Sequence, residues 1–526
     1  MFALGFLTLL AAPTATYPVN CGPGADDAVS ETVTSEGLRI WSFPDDGGER
    51  FMIMVLVGSG SRHEDPASSG VAHLLEHVVL TSSESQSKKQ STEAIRAFNG
   101  QFNGWTNHDL TTYYVFSSPS SWELSVQWLA DHVVHPALSA EDLAAEQSIV
   151  YEELDSRQPH AGVMTFEELL YPGSALGKNI GGNQAGIEDL STADLRDFYD
   201  AHYRAPNMAV GFAGSVPADE VIAAIEAAFA DLPSKGGPSN FDPVTPRSTR
   251  VGRSDYGGAA SDSGWVVTGF HLPAGGAREA ATQLRLEGFL SKRTFDEIRE
   301  ARQLSYDPAV TLHRFTDTVR LDLRVEVSQR KNVGAALEIF DDLIAEAGDP
   351  NRLGASSAFT SGRSILRAST TDQLSDSMEL AWAMRRAGSS PFDLQAAYVT
   401  LSPEELAEYA REHLTRDHQF AISNAPLGIA PPKLIVAALA LLLVLGVLDG
   451  FRGFPWAKAL RSSFDRVRAR ARRSARTPRP RERFPKSPSP GQPHPKQRPI
   501  QPVSGDELEK SIQDFYADVD ENDPPS

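Results

Sequence analysis

Two histidines and a glutamate lie close together in the segment Gly70–Leu80, which reads Gly-Val-Ala-His-Leu-Leu-Glu-His-Val-Val-Leu. If this segment is helical, His73 and His77 are four residues apart on one face, so their imidazoles can bind one metal ion. Glu76 lies on the same turn. The order His-x-x-Glu-His is the reverse of the commoner His-Glu-x-x-His zinc motif. It predicts zinc-dependent hydrolysis in which Glu76 takes a proton from water.

A zinc site of this kind needs a third protein ligand. A helix predicted at about 141–155 contains three glutamates, Glu146, Glu152 and Glu153. Glu146 and Glu153 are seven residues apart and share a helix face, whereas Glu152 is rotated by about 100° from Glu153. The spacing alone does not choose among them. Three other histidines are interpreted as non-ligands: His63, His108 and His132.

Length and charge limit the classes of function. The chain has 526 residues, enough for two or three domains, and a formal net charge of −20. Residues 1–432 contain 58 acidic and 32 basic residues, an excess that argues against nucleic acid as a partner of this main body. The acidity favours basic or neutral peptides as ligands; the alternative is that it only keeps the protein soluble. The one cysteine, Cys21, excludes an intrachain disulfide and a cysteine-rich metal site.

Both ends of the chain carry features of a membrane protein. Residues 1–16 are apolar and then small, as in a signal peptide, although an early Lys or Arg is missing. Residues 433–450 are predicted to form one transmembrane helix around a run of 15 residues without a polar side chain; the alternative is a buried core helix. The basic segment that follows predicts a single-pass protein of the cell membrane, with its main body extracytoplasmic and its tail cytoplasmic.

Residues 451–526 are predicted to be a basic, proline-rich and disordered tail. We expect its arginine cluster at 466–483 to lie on anionic lipid headgroups; the alternative partner is cytoplasmic nucleic acid. Near the end, Leu508, Ile512 and Phe515 recur at helical spacing. This pattern predicts a short amphipathic helix, which either docks on a cytoplasmic partner or folds back on the arginine cluster.

The sequence between these ends predicts an α+β fold class with two similar α/β sandwich domains, each an antiparallel-rich sheet covered by helices. The first domain spans 30–232 and includes the strand-like runs Phe51–Val57 and Thr111–Ser117. Residues 233–262 are rich in Gly, Ser, Pro and Asp and are predicted to be a linker. The second domain, 263–425, repeats the order of elements without the His-x-x-Glu-His motif.

Further motifs surround the zinc motif in a fixed order. They are Gly60-Ser-Arg62-x-Glu64, Asn103-Gly-x-Thr106-x-x-Asp109-x-Thr111-x-Tyr113, Glu146-x(6)-Glu153, Phe198-Tyr-x-x-His-Tyr203 and Ile298-Arg299-Glu300-x-Arg302-x-Leu304-x-Tyr306. With the zinc motif, this series resembles the pitrilysin/insulinase family of inverted-zincin metallopeptidases. The half-length, two-domain members, among them the mitochondrial processing peptidase, are the most similar in plan.

The resemblance implies roles for particular residues. Glu153 would be the third zinc ligand, and Glu146 a supporting carboxylate near the metal. Asn103 would contact the substrate backbone, while Arg299 and Tyr306 would reach the scissile region from the second domain.

One difference from the family pattern and one difference in length are visible. Gly104 stands where alanine is common in the family, and we expect this to matter little. In the family, four such domains form a chamber that closes around the peptide, whereas this chain supplies two. The resemblance therefore implies a homodimer, or a heterodimer with a similar two-domain chain, in which Arg299 and Tyr306 complete the partner's zinc site.

Taken together, the sequence predicts a membrane-anchored zinc endopeptidase with one Zn²⁺ per chain, held by His73, His77 and Glu153. Glu76 is the expected general base, and Tyr306 is expected to stabilise the oxyanion together with zinc. Short or unfolded peptides are the expected substrates. The alternative is a non-catalytic or heterodimer-dependent subunit of a peptidase complex.

Overall fold

Two β-sheets covered by helices make up the described part of the chain, in line with the predicted pair of α/β domains. The computed structural model describes residues 29–43, 49–157, 166–236, 240–241, 243–246, 250–251, 264–328, 332–356, 366 and 368–424. The predicted signal peptide, transmembrane helix and tail lie outside these residues. Among the helices that are described, none has the length and apolar character needed to cross a membrane.

The first sheet has six strands in the order β1-β2-β6-β3-β5-β4. Their bounds are β1 Ser30–Val33, β2 Arg39–Ser42, β3 Phe51–Val57, β4 Gln101–Thr106, β5 Thr111–Ser117 and β6 Met208–Ala213. The central strand β3 is buried along its whole length, as its unbroken apolar sequence requires. The sequence predicted β3 and β5 with these same bounds. Strand β4 is at the edge of the sheet and pairs, within the described residues, with β5 alone.

Helices of the first domain are α1 Val71–Val79, α2 Lys88–Ala97, α3 Trp122–Val134, α4 Ala140–Arg157, α5 Phe166–Leu170, α6 Gln184–Asp189, α7 Thr192–His202 and α8 Ala218–Ala228. On one face of the sheet, apolar side chains of α1, α3, α4 and α7 form a common core with β3 and β5. Leu75 of α1 and Leu154 of α4 belong to this core. Burying a leucine contributes about 1.5–3 kcal/mol, so the core determines where α1 and α4 lie.

The second sheet has five strands in the order β7-β11-β8-β10-β9. Their bounds are β7 Arg250–Val251, β8 Gly264–Pro273, β9 Ala309–Arg314, β10 Thr318–Val327 and β11 Gln419–Asn424. The helices are α9 Ala277–Thr294, α10 Asn332–Ala347, α11 Pro350–Gly354, α12 Thr371–Arg386, α13 Asp393–Val399 and α14 Pro403–His413. Strand β7 lies inside the predicted linker. The sequence pattern predicts separate helices at 277–289 and 293–301, whereas α9 continues directly into a π-helical turn at Phe295–Ala301.

Helix α12 belongs to the second half of the sequence but packs on the sheet of the first domain. Met378 and Trp382 of α12 share a buried cluster with the second face of that sheet. Two glycines make the close approach possible. A Cβ at Gly211 would lie 2.4 Å from the Met378 sulfur, and one at Gly58 would lie 2.4 Å from the Trp382 ring. The two domains therefore share one apolar interface.

A buried ion pair also joins the two domains. Arg62, which follows β3, donates to both carboxylate oxygens of Asp317 at 2.8 and 2.7 Å and to Asp109 at 3.2 Å. Asp109 also accepts the Thr316 N–H at 2.5 Å. Burial by itself raises the pKa of Asp317, but the hydrogen bond and charge of Arg62, together with the Val244 N–H, outweigh burial and lower the pKa. This network fixes the loop before α1 to the β9–β10 turn.

We expect Asp317→Ala to lower the free energy of unfolding by about 2–4 kcal/mol, because the buried guanidinium of Arg62 loses its bidentate partner. Urea denaturation of the purified protein measures this change. The control is Glu93→Ala, which removes an exposed partner of Lys89 and should cost less than about 1 kcal/mol. Equal losses in the two variants would contradict a stabilising role for the ion pair.

Candidate metal centre

The start of helix α1 is fixed by backbone geometry and by Glu64. Gly70 has a left-handed conformation with φ +97°, and a Cβ there would lie 2.6 Å from the Ile187 side chain. The Glu64 carboxylate accepts the N–H groups of Gly70 at 2.8 Å and Ala72 at 3.0 Å. Burial raises the pKa of Glu64 to about 8, although these two N–H groups act in the opposite direction. The first turn of α1 therefore has a defined position.

His73, His77 and Glu153 form a group that can hold a metal ion. One ligand atom from each lies within 4.8 Å of the others, and His73 Nε2 is 3.7 Å from Glu153 Oε2. Donor atoms around a tetrahedral zinc are roughly 3.4 Å apart, so small shifts would bring all three onto one ion. Two imidazoles and one carboxylate are a common ligand set for zinc in hydrolases. The residues present thus fit the predicted metal.

Glu76 is close to this group but lies outside it. Its Oε2 is 4.0 Å from His73 Nε2 and accepts the Thr106 hydroxyl hydrogen bond at 3.3 Å. The side chain is buried. A carboxylate that neighbours the ligands without joining them can transfer protons to and from a bound water.

Gly104 of strand β4 makes room for the Glu76 carboxylate. A Cβ at this position would lie 2.9 Å from Glu76 Oε1 and 3.1 Å from the Thr112 carbonyl oxygen. The sequence predicted that glycine at this position matters little. In the structure, a larger residue here would meet the Glu76 carboxylate, so that side chain would have to shift. Gly104 and Thr106 together set the position of Glu76 from the neighbouring strand.

Glu146 contacts the Nδ1 ring nitrogen of His77. His77 Nδ1 is 3.3 Å from Glu146 Oε2, and Lys88 donates to Glu146 Oε1 at 3.1 Å. Burial by itself raises the pKa of Glu146, but the hydrogen bonds and charges of His77 and Lys88 together outweigh it and lower the pKa. For His77, burial acts to lower the pKa, and the bond to Glu146 with the nearby carboxylates reverses this. Glu146 thus favours the tautomer whose Nε2 is available to a metal.

The structure distinguishes the three glutamates of α4 that the sequence left open. Glu153 lies with the two histidines, Glu146 lies behind His77, and Glu152 is exposed to solvent. Lys88 and Thr81 were missed as residues of the site. The Thr81 hydroxyl lies 3.2 Å from Glu146 Oε1. Neither Lys88 nor Thr81 belongs to a sequence motif that could have identified it.

Asn103 lies on the exposed edge strand β4. Alternation along the strand places its side chain on the face opposite to Gly104, where it forms a hydrogen bond with Tyr114. The β4 backbone lies beside the Glu76 site. Asn103 is therefore placed where an extended peptide on this edge would pass, although its side chain does not point towards the histidines.

Arg299 and Tyr306 form a pair on the second domain. The Arg299 guanidinium lies 4.2 Å from the centre of the Tyr306 ring, and Tyr306 is 80% exposed. Arg299 lies in the π-helical turn, which Gln303 follows with a left-handed φ of +52°. Such turns are often found at functional sites. The Arg299 guanidinium also lies near the Phe295 ring and the Glu300 carboxylate, and none of these three neighbours is a candidate metal ligand.

We expect Glu146→Gln to weaken zinc binding by about 10–100-fold, because His77 loses the carboxylate that orients its ring. Competition with a chromogenic chelator measures the zinc dissociation constant. The matched control is Glu152→Gln on the same helix, which removes an equal charge from an exposed position. If both variants bind zinc as the unmodified protein does, Glu146 does not support the metal centre.

Comparison with known proteins agrees with the motif series. A family model described as "Insulinase (Peptidase family M16)" matches residues 42–173, and one described as "Peptidase M16 inactive domain" matches residues 189–349. An uncharacterized zinc protease of Rickettsia bellii is 28% identical over 262 residues, which are 48% of this chain and 62% of that protein. The mitochondrial-processing peptidase subunit beta of Caenorhabditis elegans is 26% identical over 223 residues, 41% of this chain and 48% of that subunit.

The fold is also similar to that of solved structures. A protease from Helicobacter pylori has a TM-score of 0.61 at 17% identity, and the match covers 76% of this chain and 99% of that one. At this level of identity the likeness establishes the fold. The two sequence alignments each span less than two thirds of the relative's length. The first family model covers the zinc motif, the second covers much of the remaining body, and the chain belongs to the M16 (insulinase) peptidase family.

Proposed function

We propose that this chain is a zinc endopeptidase in which Glu76 is the general base. The main support for this proposal is that the candidate ligands and the candidate base are different residues. His73, His77 and Glu153 converge as ligands, while Glu76 lies beside them, buried and held by Thr106. A structural zinc site usually has four protein ligands and no open position for water, so it has no use for a neighbouring carboxylate that is not a ligand.

The chain's own residues supply proton transfer and orientation. A zinc ion held by the three ligands provides Lewis acidity towards water and the peptide carbonyl. Glu76 accepts a proton from the attacking water and returns it to the leaving amine. Glu146 keeps the His77 ring in one orientation through Nδ1. Gly104 keeps the space beside the Glu76 carboxylate clear, because a Cβ there would lie 2.9 Å from Glu76 Oε1.

Strand β4 is the surface on which we propose that the peptide binds. Its outer edge has no strand partner among the described residues, so its backbone groups can pair with an extended peptide. The strand also contacts Glu76 through Gly104 and Thr106. A peptide added to this edge therefore passes the general base. Short or unfolded peptides meet this requirement, because they can adopt an extended conformation.

Glu76→Gln should lower peptide turnover by at least about 100-fold, because the amide cannot accept the proton of the attacking water. Zinc content and peptide affinity should stay near those of the unmodified protein, since Glu76 is not a ligand. The measurements are cleavage of a quenched fluorescent peptide mixture and metal analysis of the purified full-length protein. Glu84→Gln, at an exposed position, is the control. Unchanged turnover in Glu76→Gln would contradict the role of Glu76 as the general base.

We further propose that Arg299 and Tyr306 act in the zinc site of a second chain. The exposure of Tyr306 and its stacking on Arg299 leave the phenol presented to solvent rather than packed in its own domain. A side chain that completes the site of a partner chain must be exposed on the surface of its own chain. The phenol would then donate a hydrogen bond to the oxyanion formed on the partner's substrate.

Mixing of two inactive variants tests this arrangement. Glu76→Gln and Tyr306→Phe should each be inactive alone, and a mixture after subunit exchange should recover about a quarter of the unmodified activity, because half of the dimers carry one intact site. The same variants combined in one chain give the control, which should not recover on mixing with itself. Absence of recovery in exchanged mixtures would place Tyr306 in its own chain's site. Activity that needs a different added chain would instead indicate a heterodimer.

The membrane topology is a proposal that rests on the sequence alone. Residues 1–16 and 433–450 lie outside the described residues, and their apolar runs with the basic segment after them support an extracytoplasmic peptidase body. Reporter fusions after residue 430 and at the C-terminus should give opposite orientations. The same orientation for both fusions would contradict a single span.

A further inference from the structure

Phe102 is a large apolar residue that remains partly exposed on the free edge of the first sheet. Its exposed fraction is 38%. Single exposed apolar side chains are common on protein surfaces, so exposure alone indicates nothing about function. The neighbours of Phe102 and its place on strand β4 are what distinguish it.

Phe102 lies on the same face of β4 as the residues that contact the general base. Side chains alternate along a strand, so Phe102, Gly104 and Thr106 share one face. Gly104 and Thr106 both contact Glu76. Phe102 precedes Gly104 by two residues, so their Cα atoms are about 7 Å apart along the strand. The aromatic ring is therefore next to the proposed catalytic site, on the surface along which an added peptide strand would lie.

A buried stack holds the Phe102 ring in place. Its centre is 4.7 Å from that of Trp128 on α3, and Trp128 in turn stacks on His132 at 3.9 Å. The Trp128 indole N–H donates to the Ser91 carbonyl oxygen at 3.2 Å. His132 lies 2.7 Å from the Ser91 hydroxyl through Nε2 and 2.8 Å from the Trp128 carbonyl oxygen through Nδ1.

The stack is also uncharged. Burial lowers the pKa of His132, so the ring is neutral near pH 7 and is held by its two hydrogen bonds. With Trp128 and His132 both buried, the platform beneath Phe102 has little freedom to move. A rigid apolar surface of this kind selects for a complementary side chain at low entropic cost.

We propose that Phe102 is the wall of a specificity subsite that takes a large apolar or aromatic side chain of the peptide substrate. The inference rests on the proposed function and on peptide binding along β4. In a strand added to β4, side chains on the zinc face lie opposite Gly104 and Phe102 in turn. The side chain beside Phe102 therefore belongs to a residue two positions from the one beside Glu76 and Gly104, whichever way the peptide runs.

The test compares cleavage of a peptide library by the full-length protein and by Phe102→Ala. The unmodified protein should prefer Phe or Leu over Ala at one position within three residues of the cleaved bond. In Phe102→Ala this preference should fall about tenfold in kcat/KM, while peptides with Ala there are cleaved at the original rate. Phe102→Tyr should keep the preference. Leu124→Ala, at an exposed apolar position on α3, is the matched control and should change nothing.

A binding measurement separates this inference from the proposed function. Peptides that carry Phe or Ala at the preferred position are titrated into the Glu76→Gln protein with and without Phe102→Ala. Selective loss of affinity for the Phe peptide supports the subsite, even if no peptide is cleaved. Equal effects on both peptides, or no effect on either, would overturn it. Zinc content measured in each variant shows whether the metal centre is intact.

Discussion

The metal site depends on the packing of α4 against α1. Helix α1 supplies two imidazoles one turn apart, but the third ligand comes from a helix that begins more than sixty residues later. Leu154 and Val150 on α4 are buried in the core that also contains Leu75 of α1. This apolar contact places the adjacent Glu153 near the histidines. The ligand set is thus a product of tertiary structure and not of a single motif.

The same packing concentrates negative charge. Glu76, Glu146 and Glu153 lie around two histidines, and close carboxylates repel one another in a partly buried site. A divalent cation would offset this repulsion, so metal binding should stabilise the folded chain as well as supply the chemistry. Lys88 already neutralises part of the charge at Glu146. The Glu76 and Glu153 carboxylates lie 4.0 and 3.7 Å from His73 Nε2.

The chemical part of the site could be predicted from the sequence because its residues follow local rules. Helical spacing joined His73 and His77, and the order of the motif separated Glu76 from them. The choice among the glutamates of α4 could not be made from spacing, since Glu146 and Glu153 share a helix face. Only the packing angle of α4 decides which carboxylate meets the histidines. The resemblance to the family had implied the same choice.

Much of the fold followed from the pattern of apolar residues, and the exceptions have physical causes. Strand β3 was predicted with its exact bounds because it is continuously apolar. The edge strand β4, with its polar and exposed residues, has no such signal. The position of α12 on the first sheet depends on Gly58 and Gly211, whose role appears only when Trp382 and Met378 lie against them. Contacts between residues so distant in sequence leave no local pattern.

The central claim is that two imidazoles of α1 and one carboxylate of α4 hold a zinc ion. X-ray absorption spectroscopy at the zinc edge, on the full-length protein and on Glu153→Gln, tests it most directly. The account predicts one zinc per chain with two imidazole nitrogens and oxygen ligands at about 2.0–2.2 Å, and a large loss of zinc in the variant. Stoichiometric zinc with the same spectrum in both proteins, or a spectrum without imidazole scattering, would contradict it.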